Sequence, residues 1–151
     1  MQRLIYVSES RIEHTDVDSE LAKIVDYSQV KNVQLGITGA LLFTGKHFAQ
    51  VLEGPPEAIH ILMAFIYNDP RHTNISVVDR SPITDRRFAD WQMAYQGPSQ
   101  FVSRHVARLM DATSQSQRQR AVDWITDLAY EFSIPLNLPK YIKLVSSRPS
   151  R

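Results

Sequence analysis

The chain of 151 residues contains no cysteine. That absence excludes disulfides, thiolate catalysis, cysteine-ligated zinc and any cysteinyl cofactor adduct. Glycine is scarce, with 5 in the whole chain, and neither a Gly-x-Gly-x-x-Gly nor a Walker-type loop is present. A standard phosphate cradle is therefore excluded. No apolar run approaches the roughly 18 residues that a membrane-spanning helix needs. The start, Met1-Gln2-Arg3, leads straight into strand-like sequence and shows no signal peptide, so a cytoplasmic location is the default expectation. The 5 histidines show no metal-ligand spacing, and no metal site is expected.

Charge is unevenly placed. Residues 1–97 carry 9 Lys/Arg and 12 Asp/Glu, whereas residues 98–151 carry 8 and 4. A net-negative front part argues against nucleic-acid binding. The mildly basic back part reads first as a solvated helical face. The composition, 43% hydrophobic and 22% charged, suits one soluble domain with a short appendage.

Periodicity orders the elements. Arg3 to Ser8 reads as a strand. Asp16 or Asp18 can cap a helix to about Asn32 with Leu21, Ile24, Val25 and Ser28 on one face. Gly36 ends it. Ile37 to Thr44 and His47 to Glu53, joined by Gly45-Lys46, form a hairpin. Pro55 or Pro56 opens a second helix whose apolar face is Ala58, Ile59, Leu62, Phe65 and Ile66, and Asn68-Asp69-Pro70 stops it. Ile75 to Val78 is a fourth strand, broken by Ser81-Pro82, and Trp91 to Tyr95 a fifth. The order βαββαββ predicts an α+β, ferredoxin-like sandwich with both helices on one face of the sheet. After Gly97-Pro98 two amphipathic helices follow, one with Phe101, Val102, Val106, Leu109 and Met110, the next with Val122, Ile125, Leu128, Ala129 and Phe132. They are expected to cover the sheet's free face or another subunit, which makes a homo-oligomer an expectation. The units are 1–97, the helical pair 98–134 and a frayed tail 135–151.

Two polar side chains stand out. Tyr6 lies within Leu4-Ile5-Tyr6-Val7, and Gln50 within Phe48-Ala49-Gln50-Val51. A buried phenol and a buried amide both need hydrogen-bond partners. On neighbouring strands each can satisfy the other, or both can serve a bound polar ring. Other features have plainer alternatives. His72 follows Arg71 in a post-helix turn, where a surface or capping role is the bland reading. Arg86-Arg87 can grip an anion, though adjacent loop arginines are more often solvated. Asn32 is either a helix C-cap or a ligand contact. Trp91 and Met93 share one side of a strand, where core packing is the plain explanation.

Taken together, Leu4-Ile5-Tyr6, Ser28-Gln29 with Asn32, Gly36-Ile37-Thr38-Gly39, Phe48-x-Gln50-Val51-Leu52-Glu53-Gly54, Asp69-Pro70-Arg71-His72 and Arg87-Phe88-x-x-Trp91-x-Met93 resemble the BLUF family, blue-light sensors that use flavin. The likeness covers residues 2–96 and implies the same fold. It implies a non-enzymatic receptor with FAD, or FMN as the alternative, that signals through protein contacts to an unidentified partner without nucleic acid or membrane. By position, Tyr6 would be the electron donor and Gln50 would lie between its hydroxyl and the flavin. Asn32, with Ser28 and Lys31, would contact the ring's edge. Ile24 and Ile66 would sandwich it. Arg71 and His72 would lie near the ribityl and phosphate side, and Ser8, Trp91 and Met93 would form a changeable shell between Gln50 and the fifth strand. Lys31 and Phe65 depart from the polar residues often found at those positions. Rival readings are a small ferredoxin-like hydrolase of phosphoryl or acyl substrates, a flavin-free interaction module, and RNA binding by the sheet. The absence of a Gly-rich loop, the intact Tyr6–Gln50 pair and the net-negative front part respectively argue against them.

Overall fold

The computed structural model describes residues 1–89, 94–96, 100–112 and 114–133. Its elements run β1 (Gln2–Ser10), α1 (Val17–Leu35), β2 (Thr38–Phe43), β3 (His47–Gly54), α2 (Pro56–Tyr67), β4 (His72–Pro82), β5 (Ala94–Gln96), α3 (Gln100–Met110) and α4 (Gln115–Ser133). The five strands form one sheet in the order β4-β1-β3-β2-β5. All pairs are antiparallel except β2 with β5. This is the ferredoxin-like arrangement expected, with β5 added at one edge. Trp91 and Met93 lie outside the described residues, as do Gly97-Pro98 and the tail.

Local chemistry explains the boundaries. α1 runs three residues beyond Asn32 because Gly36 is the residue that adopts the left-handed conformation, at φ 65°. The Gly36 and Ile37 N–H groups then bond back to the last-turn carbonyls of Val33 and Asn32. Asp16 precedes the helix, but its side chain makes no cap bond. Pro56 opens α2, where its missing N–H costs nothing. Gly39 has a packing reason: a Cβ there would sit 2.0 Å from the Val51 carbonyl oxygen. β4 is longer than Ile75–Val78. It continues through Ser81-Pro82 as an edge strand, where a proline needs no ladder partner.

Alternation along the central strands builds two cores. Leu4, Tyr6, Leu41, Phe43, Phe48 and Leu52 face α1 and α2, joined by Leu21, Ile24, Ile59 and Leu62. Ile5, Val7, Ala40, Leu42, Ala49 and Val51 face the opposite way, against Val106, Leu109, Val122, Ile125 and Ala129 of α3 and α4. The described part of those apolar stripes is therefore covered by the sheet. Phe65 corrects the expected face of α2. It is 46% exposed, and Met63 is buried in its stead. No helix among the described residues is long and apolar enough to cross a membrane.

Candidate functional site

The register of β1 and β3 puts Tyr6 directly opposite Gln50. Both point toward the α1/α2 layer, and both are almost fully buried, at 1% and 4% exposure. The Tyr6 hydroxyl donates to Gln50 Oε1 at 2.5 Å. Burial, then the nearby Asp69 charge, pushes the Tyr6 phenol well above its ordinary value. It is a neutral donor at any physiological pH. Two register irregularities between β1 and β4 flank Tyr6, one between Ile5 and Tyr6 and one between Val7 and Glu9. Such bulges re-aim side chains near functional sites. Asn74, with φ 51°, lies in the second.

His72 was expected in a turn, at the surface. The structure makes it the first residue of β4 and packs its ring on Phe48 at 4.3 Å and edge-on to Tyr6 at 6.2 Å. The sequence hides this, because only strand pairing, which sets His72 opposite Ser10, brings its ring within reach of Ser8. Ser8 Oγ and His72 Nδ1 are 2.9 Å apart. Burial lowers the His72 pKa to about 4, against the opposing pull of Asp69. The ring is neutral at pH 7 and offers no charge to a phosphate. Ser8, on β1, thus meets the start of β4, and two strands separate β1 from β5.

Arg71 grips its neighbour Asp69 through two guanidinium nitrogens, at 2.7–3.1 Å, and reaches Glu20 of α1 at 3.6 Å. Burial works to raise the Asp69 carboxyl, but the bonds from Arg71 outweigh it and hold it low. The Arg71 guanidinium is correspondingly raised by the Asp69 bond. The group thus pins the start of β4 to α1.

The layer where α1 and α2 meet the sheet combines apolar and polar side chains. Ile24 and Leu62 are buried, and Ile66 is half-buried against the same core. Asn32 is fully buried on α1, and Ser28 is half-buried one turn before it. Gln29 shares that helical face, three residues before Asn32, and its Nε2 is buried without a partner. Sequence reasoning gave Gln29 no role. The ammonium of Lys31 lies 4.4 Å from the centre of the Phe65 ring, so the two departures from the family pattern join as one bridge between the helices. Apolar side chains of both helices, a buried amide donor without a partner on α1 and a phenol–amide pair on the sheet beneath are the groups that a flat heteroaromatic ring with a polar edge would use. The residues fit a flavin.

A second cluster was missed altogether. Glu53, three residues past Gln50, is fully buried on the opposite sheet face. Its Oε1 accepts from Arg3 Nε at 2.9 Å and Nη2 at 2.6 Å, and its Oε2 accepts the Phe88 N–H at 2.9 Å. Arg86 donates to the Gly36 carbonyl at 2.6 Å, the Glu53 carbonyl at 3.2 Å and Thr38 Oγ1 at 3.1 Å. Arg87 pairs with Asp127 of α4 at 2.6 Å and lies over the Tyr130 ring. Phe88 meets the same ring edge-on. These arginines are not idle loop residues. They tie segment 86–88 to the sheet on one side and to α4 on the other. The available signal was a carboxylate closing an otherwise apolar strand, which needs a buried cation.

Comparison with known proteins agrees with this geometry. Residues 1–94 match the family model described as BLUF, sensors of blue-light using FAD. The chain is 33% identical over 93 residues to photoactivated adenylate cyclase subunit beta of Euglena gracilis, a stretch covering 62% of this chain and 11% of that protein. It is 40% identical over 72 residues to the blue light- and temperature-regulated antirepressor BluF of Escherichia coli (strain K12), covering 48% of this chain and 17% of that one. The chain thus spans only a small part of these curated relatives. The dark-state structure of BlrB, a BLUF protein, aligns with TM-score 0.64 and 35% identity over 81% of this chain and 96% of that one. The chain belongs to the BLUF family, blue-light sensors that use FAD.

Proposed function

We propose that this chain senses blue light through the Tyr6–Gln50 pair and passes the change to a partner protein through α3 and α4, without catalysing a reaction of its own. The observation that carries the reading is the buried Tyr6 hydroxyl bonded to Gln50 Oε1. Asn32, Ser28, Lys31 and Gln29 would hold the edge of the flavin, and Ile24 and Ile66 its faces. FAD is the family's flavin, and FMN remains the alternative for this chain. Bound there, the flavin supplies blue-light absorption and an excited-state oxidant.

The residues do the rest. Tyr6 is the electron donor, and its neutral phenol must shed a proton as the electron leaves. Gln50 Oε1 already accepts that proton's hydrogen bond and so marks its exit. An amide carries an acceptor at one end and donors at the other. When electron and proton return, Gln50 need not regain its first orientation, and the outcome is a rearranged hydrogen-bond network. Such a change is worth about 1 kcal/mol and must bias a neighbouring two-state element.

β3 supports a route for it. Gln50 faces the flavin slot, and Glu53, on the other face of the same strand, holds Phe88, whose ring touches Tyr130 of α4. Trp91 and Met93 would belong to the changeable shell. In this reading residues 1–97 are the sensor and 98–134 the output. The test is an absorption spectrum of the purified protein before and after blue light. A small red shift of a flavin spectrum that recovers in darkness supports the reading. A protein that takes up no flavin overturns it.

A further inference from the structure

The turn between α3 and α4 leaves a cleft of about 530 Å³ that none of the described sensor residues lines. Its lining includes Arg108 and Ala112 from the end of α3 and its turn, and Gln117, Arg120, Ala121 and Trp124 from α4. Residues 117, 120, 121 and 124 recur at helical spacing, so one face of α4 presents them all. Trp124 packs against the core below and borders the cleft above.

Charge is sorted around α4. Asp127 is held by Arg87, and Asp123 accepts from Gln119 at 2.8 Å. Both line the opposite cavity, beside Arg3 and Asp79. The cleft side keeps Arg108 and Arg120, with exposed Arg104 one helical turn before Arg108 on α3. Among the described residues none of these three guanidiniums pairs with a carboxylate, and Asp111 is the one acid that lines the cleft. The whole stretch 98–151 carries twice as many Lys/Arg as Asp/Glu, 8 against 4.

We propose that this cleft binds an acidic segment of a partner protein, with one apolar side chain of that segment seated against Trp124. Unpaired arginines beside a half-buried indole are the residue types that concentrate binding energy at protein interfaces. The apolar floor would be wasted on a free anion. The inference rests on the reading of α3 and α4 as the output element and names the chemistry of what they grip.

The test uses the full chain with its flavin. The probe is a fluorescein-labelled peptide of roughly ten residues, aspartate and glutamate around a central Leu-Phe, titrated by fluorescence anisotropy. Expected is saturable binding that the Arg108→Glu/Arg120→Glu double variant weakens at least about tenfold. Replacing Leu-Phe by Gly-Gly should weaken it about fivefold, and the milder Arg108→Gln/Arg120→Gln pair should fall between. Equal affinity of wild type and both double variants overturns the proposal. So does binding of duplex DNA or anionic vesicles through these arginines where the peptide fails, or a loss of self-association as the variants' main effect. The photocycle is recorded on every sample. A normal photocycle without peptide binding sinks this inference alone, whereas a missing photocycle counts against the sensor reading and leaves the titration decisive for the cleft.

Discussion

Replacing Tyr6 by phenylalanine removes one oxygen from a fully enclosed site. The ring keeps its packing against His72, and the volume barely changes. What is lost is the bond to Gln50 Oε1, which burial prevents water from replacing. A buried acceptor left without its donor costs about 1–3 kcal/mol. For a chain of this size that lowers the melting temperature by roughly 2–10 °C. Urea denaturation should show an earlier midpoint with an unchanged slope. The functional loss should be of another order. Flavin should stay bound while the reversible red shift disappears, because phenylalanine cannot give up an electron and a proton together. The double variant Tyr6→Phe/Gln50→Leu should cost less than the two single changes added, since both changes break the same bond. A Tyr6→Phe protein that keeps its red shift would refute the donor assignment. Additive costs in the cycle would refute the pair as a coupled unit.

Three further outcomes follow from the same geometry. Glu53→Ala removes the partner of Arg3 and the acceptor of the Phe88 N–H, for about 2–4 kcal/mol in urea, whereas Glu53→Gln keeps an acceptor and should cost less; equal costs would mean the Phe88 bond contributes nothing. In flavin-free protein, His72 binds its proton only near pH 4 when folded but near 6.5 when unfolded, so the unfolded state holds more protons between those values. Stability should therefore fall by up to about 3 kcal/mol as pH drops from 6.5 to 4, and His72→Gln should flatten that slope in thermal melts. Removing residues 98–151 would bare Ile5, Val7, Ala40, Leu42, Ala49 and Val51, so the truncated chain should aggregate or bind a hydrophobic dye; a monomer with an unchanged melting temperature would show that the helices are dispensable to the core.

The parts of the fold that were legible in sequence are those set by neighbours along the chain. Gly36, Pro56 and the Gly45-Lys46 turn mark boundaries by backbone chemistry, and alternation in β1 and β3 foretells their two faces. The Tyr6–Gln50 pair was visible for the same reason: each is a polar residue in an apolar run. What escaped depends on partners far apart in the chain. Nothing near His72 announces Ser8 or Phe48. Arg86 and Arg87 look solvated until Gly36, Glu53 and Asp127 arrive from elsewhere. The length of β4 was hidden because an edge strand tolerates polar residues and a terminal proline. Phe65 belongs to the apolar stripe of α2 by spacing, yet it is exposed, with the Lys31 ammonium over its ring.

One strand now carries both halves of the problem. Along β3 the side chains alternate, and an odd step from Gln50 to Glu53 places them on opposite faces. Gln50 meets Tyr6 among the residues that face α1 and α2, and Glu53 meets Arg3 and Phe88 on the side of α3 and α4. A rearrangement of the Gln50 amide is worth about 1 kcal/mol, too little to move a core of interlocked aliphatic side chains. It is comparable to what holds the exposed Arg87–Asp127 pair, which surface screening limits to about 1 kcal/mol. Among the described contacts of segment 86–88 with α4, the Arg87–Asp127 pair is thus where a signal of this size has a matching counterweight, whereas the fully buried Phe88 is not. The deeper contacts of Val122 and Ile125 with the sheet are many times stronger and stay fixed. The expected response to light is therefore a shift of α4 about a retained core contact, not its release from the sheet.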